Sequence, residues 1–300
     1  MSFRRRGSLP WSRVLEMVEF MADEIEYPPH FAFQRVRDQL LNAFKGTADM
    51  PNIKKFVAKS VRKAYQERGW QKSSSWTDAS VATLATEHAC LTDNVECLNK
   101  AKSLFDAFMT NCEYSMTGTG LCNSDVAPDV RRTQYCYGLA QTPNGIDVVE
   151  KLYKWFVKNS YYFRRDDDNL LHALACLQDE ATKKRLIADV LDGHYPVVLL
   201  EYIAQRDSTD TLLWDYLVAN SDAVFYGVPS LSYYMDVAVG SWNTQQQLDK
   251  IDAFLNSLGT TISPENAKVI MDHKAKVQQN IDWLKSNRDE IMNWINANIQ

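Results

Sequence analysis

The stretch Ala89-Cys90-Leu91-Thr92-Asp93-Asn94-Val95-Glu96-Cys97 lies between two segments of helical periodicity, at about 78–90 and 94–110. A short polar turn between two such segments is typical of an antiparallel helix pair. The same alternation of helical segments and short turns continues outward, and no stretch alternates as a strand would. Helices are predicted before this pair near 14–25, 30–45 and 53–68, and after it near 127–139, 146–158, 168–176, 179–192, 195–205 and 209–219.

The last predicted helix has a defined start. Ser263 can cap its first turn, and Pro264 occupies the first helical position, where a missing N–H has no cost. About fourteen helices of a dozen residues each, joined by short turns, favour stacked antiparallel pairs. We therefore predict an all-α fold, an α-α superhelix of the HEAT or armadillo kind. The alternative is two compact helical bundles that meet near the loop at 114–126.

The chain has 6 cysteines, an even number without the spacing of a metal site. This pattern favours disulfide bonds and an oxidising compartment. Cys112 and Cys122 bracket a loop rich in Gly, Ser and Thr, and counting alone suggests that they form one of the pairs. The alternative is six reduced cysteines buried in a cytosolic helical protein, because free Cys is often a small core residue.

Composition excludes several classes of protein. With 300 residues, 45% hydrophobic, the chain can bury a sizeable core, and its net charge of -5 with scattered basic residues argues against a nucleic-acid binder. The longest apolar run, 195–204, is interrupted by Glu201 and is too short to span a bilayer. Residues 1–8 are basic but no apolar stretch follows them, so they are expected to be a tag, a linker or an upstream remnant rather than a signal peptide. Disulfides without an export signal suggest a fragment of a longer exported chain.

The search for catalytic motifs finds no His-Glu-x-x-His, and the five histidines are far apart in the sequence. Glu87-His88-Ala89-Cys90 places His88 and Cys90 two residues apart on a helix, where side chains point away from each other. A surface position is therefore expected for His88. The charged run 164–168 is interpreted as a turn that leads into a helix, because Asp at a helix start suits its dipole. No metal, no cofactor and no catalytic residue is predicted for this chain.

Several of these features occur together in one known family. They are Leu9-Pro10-Trp11; Gly69-Trp70; Ala89-Cys90 with Cys97, Ala101 and Phe105; Pro128-Asp129-Val130-Arg131; Gln134-Tyr135-Cys136; Ala173-Leu174-Ala175-Cys176; and Asn280-Ile281-Asp282-Trp283-Leu284. In this order they resemble the C-terminal helical domain of the zinc aminopeptidases of the aminopeptidase N type, the gluzincins. The resemblance extends from about Leu9 to Asn298 and places one domain at 9–300.

The resemblance implies two disulfides, Cys90 with Cys97 and Cys136 with Cys176. It also implies that the zinc and its ligands belong to an upstream catalytic domain of the same polypeptide, which releases N-terminal amino acids from peptides. The domain at hand is expected to cover that active site, to shape the substrate cavity and to contact the peptide. The parent is expected to be extracellular or lumenal, either membrane-anchored or secreted, and homodimers occur in some relatives.

One departure from the family pattern concerns the segment before Trp214. Relatives carry Leu-Ile-Arg-x-Gln-Asp, whereas the ungapped alignment gives Val190-Leu191-Asp192-Gly193-His194-Tyr195 here, with an acid in place of the arginine. Asp192, His194 and Tyr195 are therefore candidates for lining the cavity, although Asp-Gly and Pro196 are turn signals by themselves. The altered charge leaves a second function open, a peptide- or protein-binding superhelical scaffold in a catalytically inactive relative.

Overall fold

The computed structural model describes residues 9–111, 126–159, 165–206 and 211–299. The all-α prediction is confirmed, since the structure is 80% helical and its described part contains no strand. The α-helices are α1 (Trp11–Glu16), α2 (Tyr27–Ala43), α3 (Met50–Arg68), α4 (Trp76–Leu91), α5 (Val95–Asn111), α6 (Arg131–Gln141), α7 (Ile146–Asn159), α8 (Arg165–Ala175), α9 (Glu180–Leu191), α10 (Val198–Arg206), α11 (Leu212–Ala219), α12 (Ser221–Tyr226), α13 (Leu231–Val239), α14 (Gln245–Leu258) and α15 (Pro264–Asn298). Short 3-10 turns occur at Glu19–Ala22, Pro128–Val130 and Pro143–Gly145.

The helices form two layers. Sequential pairs pack against each other, most extensively α3 with α4, α5 with α6 and α7 with α8. The second member of each pair also contacts the second member of the next, which produces the row α2, α4, α6, α8, α10, α13 and α15. The pair α5–α6 approaches closely because Gly138 has no side chain: a Cβ there would lie 2.2 Å from Cβ of Phe105. Gly138 is thus the residue that allows the closest helix contact in the middle of the chain.

The main hydrophobic core runs from α5 to α15. It joins Phe105 and Phe108 of α5 to Tyr135 and Leu139 of α6. The alternative of two bundles that meet near 114–126 is therefore wrong, because residues on both sides of that segment belong to one core. A second core packs the first helices, through Leu15, Phe33 and Phe56 among others, onto Ile291, Met292 and Ile295 of α15.

Helix α15 joins the two ends of the chain. At 35 residues it is about 52 Å long. Its start is capped by Ser263, whose Oγ accepts the N–H of Asn266 at 3.2 Å, and Pro264 follows as predicted. Near its end, Glu290 accepts hydrogen bonds from N–H and Oγ of Ser12 at 2.9 and 2.7 Å. The first and last helices therefore belong to one packed unit.

The two disulfides that the resemblance implies are present in the structure. Cys90–Cys97 connects the end of α4 to α5, and Cys136–Cys176 connects α6 to the residue that follows α8. Cys112 and Cys122 lie outside the described residues, so their pairing stays a prediction. In the part of the chain that the structure describes, no helix combines the length and the apolar character that crossing a membrane requires.

Candidate functional site

The row of second helices bends back on itself. Lys45, just after α2, donates from Nζ to the carbonyl of Ala204 on α10 at 2.6 Å. Asn243, between α13 and α14, donates from Nδ2 to the carbonyl of Ala43 at 2.9 Å. Helices pack 8–10 Å apart, so a flat row would place α2 about 36 Å from α10. The row is therefore strongly curved.

A group of polar side chains from five helices of this row meets between them, and we call it the inner cluster. Its members are buried or half-buried, and the most enclosed are Arg37, 0% exposed, and His172, 2% exposed. The inner cluster consists of Arg37 on α2, Glu87 and His88 on α4, Tyr137 on α6, His172 on α8 and Arg206 on α10.

Arg206 contacts three other members of the inner cluster. Its Nη1 donates to the hydroxyl of Tyr137 at 2.7 Å, and its Nη2 lies 3.2 Å from Nε2 of His172. The guanidinium also stacks 5.2 Å from the centre of the Tyr137 ring. Among the described residues, the nearest carboxylate oxygen is on Glu87, 3.8 Å away and beyond hydrogen-bond distance. Within that part of the chain, Arg206 is thus a largely enclosed cation whose hydrogen-bonded partners are neutral and whose Nε has no hydrogen-bond partner.

Arg37 supplies a second enclosed positive charge. Its Nη2 donates to the carbonyl of His30 at 2.8 Å, and burial lowers its pKa to about 10, so it remains charged at neutral pH. Burial, followed by the charge of Arg37, lowers the pKa of His88 to about 4. Burial and then the charge of Arg206 hold the pKa of His172 well below its usual range. The inner cluster therefore contains neutral histidines beside two guanidinium groups; the carboxylate of Glu87 acts on both, and that of Asp38 acts on Arg37 as well.

A more exposed polar group adjoins the inner cluster on α6, α8 and α10. Asp168 accepts a hydrogen bond from Nη1 of Arg132 at 2.8 Å and another from the hydroxyl of Tyr202 at 2.7 Å. The guanidinium of Arg132 stacks 4.8 Å from the centre of the Tyr202 ring. The first turn of α8 thus forms ion pairs with α6, which Asp166 extends through a 2.7 Å contact with Arg131. This agrees with the interpretation of the described part of the run 164–168 as the start of a helix.

The arrangement is suited to holding an anionic group. Cys136, His172 and Cys176 place potential metal-ligand atoms within 4.8 Å of one another, the one such group among the described residues. Both sulfurs, however, are joined in the disulfide and cannot act as thiolate ligands. Enclosed guanidinium groups, by contrast, are the usual partners of carboxylates.

The structure places the three predicted cavity residues at the turn between α9 and α10. Asp192 ends α9, and Gly193 follows with a φ of +80°. His194 is exposed, whereas Tyr195 is 6% exposed and packs against Tyr153 with 5.5 Å between the ring centres. Burial, followed by the charge of Glu150, raises the pKa of Tyr195. Asp192 and His194 are therefore surface turn residues, and Tyr195 belongs to the main core; none of the three is a member of the inner cluster.

Sequence reasoning missed the residues of the inner cluster, and its expectation for His88 was wrong. His88 is 4% exposed, and its Nδ1 lies 2.8 Å from the carbonyl of Leu84. A surface position was expected because His88 and Cys90 point away from each other, but His88 lies close enough to Arg37 and His30 on α2 to interact with both. A usable signal was the spacing of His30 and Arg37, seven residues apart and so on one face of a helix.

Comparison with known proteins gives a consistent result. A family model described as the ERAP1-like C-terminal domain matches residues 1–279. Putative aminopeptidase-2 of Caenorhabditis elegans is 27% identical over 299 residues, which is 99% of this chain and 16% of that protein. Aminopeptidase N of Rattus norvegicus is 23% identical over 97% of this chain, and glutamyl aminopeptidase of Bos taurus 22% identical over 97%; the match covers 30% of each of these proteins.

The chain thus spans less than a third of the length of these relatives. The resemblance predicted from the cysteines and the final helix is confirmed. The match over most of the chain shows that it belongs to the family of ERAP1-like C-terminal domains, the C-terminal part of aminopeptidase-family proteins.

Proposed function

We propose that this chain is the non-catalytic C-terminal domain of a zinc-dependent aminopeptidase that releases N-terminal amino acids from peptides. The observation that carries the proposal is the alignment of nearly the whole chain with proteins named aminopeptidases that are roughly three to six times as long. Zinc and the catalytic residues belong to the upstream domain of that longer polypeptide. The proposed domain is 9–300, with 1–8 as a tag, linker or upstream remnant.

The proposed role of the domain is to cover the upstream active site and to shape the substrate cavity. The curved row of helices supports this role, because a HEAT-like superhelix presents one concave polar face. Arg206 and Arg132 lie on that row and can attract the carboxylates of a peptide, whereas Asp192 and His194 lie at a surface turn. The proposed partners are the upstream catalytic domain and the peptide. The two disulfides favour an extracellular or lumenal location.

The first test uses the endogenous polypeptide, captured by an antibody to this chain. We expect a mass well above 34.4 kDa, bound zinc, and hydrolysis of aminoacyl substrates that a chelator abolishes. The 300-residue chain alone should not hydrolyse them. A long polypeptide without zinc or hydrolysis that still binds peptides would instead support the alternative, a superhelical scaffold in a catalytically inactive relative.

The second test addresses the cavity. Arg206→Gln in the long polypeptide should raise KM for peptides by about tenfold, the effect of losing a charge contact worth about 1.4 kcal/mol, and should leave hydrolysis of a single aminoacyl amide unchanged. Arg185→Gln is the matched control, because Arg185 forms ion pairs with Glu150 and Asp189 on the other layer. Equal peptide kinetics in the two variants would refute a role of the inner cluster in substrate handling.

A further inference from the structure

Three aromatic rings form a contiguous patch on the N-terminal third of the chain, and we call it the aromatic patch. Tyr27 and Phe31 stand one turn apart at the start of α2, with 5.6 Å between their ring centres. Trp76, the first residue of α4, packs edge-on against Tyr27 at 5.0 Å. The rings thus contact one another, yet Trp76 is 69% exposed and Phe31 60% exposed.

The exposure of these rings differs from that of the tryptophans in the main core. Trp214 and Trp242 are 2% and 0% exposed and lie in the main core. A large aromatic side chain offers 150–250 Å² to burial, so Trp76 and Phe31 together leave roughly 250 Å² of ring surface uncovered. This area is slightly below that of the largest apolar patch on a typical monomer, which is often functional, whereas exposed apolar residues that stand singly need no explanation.

The backbone holds the aromatic patch in a fixed geometry. Pro28 and Pro29 occupy the first turn of α2 between Tyr27 and Phe31, where their fixed φ suits a helix start. Ser75 caps α4 by accepting the N–H of Asp78, which fixes the helix start that carries Trp76. Because two helix starts already hold the rings in place, little side-chain entropy is lost on contact. The aromatic patch is therefore preorganised for docking.

The area of the patch favours a tethered partner over a free one. A stable complex between separate chains buries about 800 Å² on each side, several times the area of the aromatic patch. A partner on the same polypeptide needs less, because tethering supplies an effective concentration in the millimolar range. In these relatives, at least two thirds of the polypeptide lies outside the part that matches this chain. The family is a C-terminal domain, so the remainder of such a polypeptide precedes α1 and α2.

We propose that the aromatic patch of Tyr27, Phe31 and Trp76 is the docking surface for the upstream part of the same polypeptide. The inference rests on the proposed function only in requiring that an upstream part exists. The partner surface is apolar, because the rings offer a hydrophobic contact with little hydrogen bonding. Two further apolar residues before α2, Met17 at 66% and Phe20 at 54%, are exposed as well.

The test is hydroxyl-radical footprinting of the long polypeptide and of the 300-residue chain, with oxidation followed at Trp76 by mass spectrometry. We expect Trp76 to be oxidised at least fivefold more slowly in the long polypeptide, since docking would remove most of its exposed surface. Tyr226 is the reference, because it is 77% exposed on α12, far along the chain. Equal oxidation of Trp76 in both forms overturns the inference.

A concentration series tests whether a second copy of the chain, rather than the upstream part, covers the aromatic patch. Protection of Trp76 in the 300-residue chain that grows with its concentration would show a second copy on the patch and would also overturn the inference. The double variant Phe31→Ser with Trp76→Ser should leave the thermal midpoint of the 300-residue chain nearly unchanged and should release this domain from the long polypeptide at least fivefold faster under limited proteolysis. Unchanged release would contradict docking through these rings.

The outcomes distinguish the inference from the proposed function. A long, zinc-dependent enzyme in which Trp76 stays reactive refutes the docking surface alone. A long polypeptide without hydrolysis in which Trp76 is protected refutes the enzymatic proposal and keeps the docking surface. An endogenous chain of 34.4 kDa refutes both, because no upstream part would exist.

Discussion

Lowering the pH from 7.5 to 5 should destabilise the chain by about 2 kcal/mol through His88 alone. Burial and the charge of Arg37 lower the pKa of His88 to about 4 in the folded chain, against 6.5 when unfolded. Between these values the unfolded chain binds the proton and the folded chain does not, so stability falls as the pH drops through 6.5 and levels off below 4. The full loss is about 3 kcal/mol, of which about 2 kcal/mol has developed by pH 5.

The assay is urea unfolding at pH 7.5 and at pH 5, compared with the variant His88→Gln. Gln cannot titrate but can still donate to the carbonyl of Leu84, which now lies 2.8 Å from Nδ1 of His88. The variant should lose about 2 kcal/mol of the pH dependence. Burial and then the charge of a nearby arginine, Arg37 for His30 and Arg206 for His172, also lower the pKa values of these histidines, so a residual dependence in the same direction is expected. Equal pH dependence in the His88 variant and in the unmodified chain would refute the reasoning.

Two further predictions concern packing and cross-links. Gly138→Ala should destabilise the chain by about 1–3 kcal/mol, because the new Cβ would lie 2.2 Å from Cβ of Phe105; an unchanged urea midpoint would show that α5 and α6 can separate without cost. Replacing Cys136 and Cys176 by Ser should cost more than replacing Cys90 and Cys97, since the bonds close 40 and 7 residues of sequence. The loop-entropy relation gives about 4 and about 2.5 kcal/mol for the two bonds, and the reverse order in calorimetry would contradict it.

Much of the fold could be predicted from local signals. Polar turns such as Thr92-Asp93-Asn94 and the cap at Ser263 mark helix boundaries by their own chemistry, so α4, α5 and the start of α15 appear near their expected positions. The helices α12, α13 and α14 were not located. The first two are short and apolar on several sides, which weakens their periodicity, but α14 carried a usable signal in its capping box of Thr244 and Gln247.

The inner cluster could not be predicted, because its geometry depends on curvature. Glu87, Tyr137 and Arg206 are separated by 50 or more residues and meet only because the row of helices bends, and no local pattern encodes that bend. The alignment instead directed attention to Asp192, where relatives have an arginine. In the structure that position is a helix end at the surface, while an arginine reaches the inner cluster from α10.

Enclosing Arg37 and Arg206 between the helices costs free energy, so a contribution to the stability of the fold does not by itself explain why these arginines are there. Enclosing a guanidinium requires removing its water, and apolar residues of similar size at such positions are often as stable or more so. Neither arginine regains all the hydrogen bonds that its guanidinium makes in water, since Nε of each is buried without a hydrogen-bond partner among the described residues. Glu87 lies 3.8 Å from Arg206 and also acts on Arg37, on which the carboxylate of Asp38 acts more strongly. Among the described residues, the carboxylate contact of Arg206 is thus the 3.8 Å approach of Glu87, and under the proposed function it is Arg206, rather than Asp192 at its surface turn, that would meet a carboxylate of the peptide.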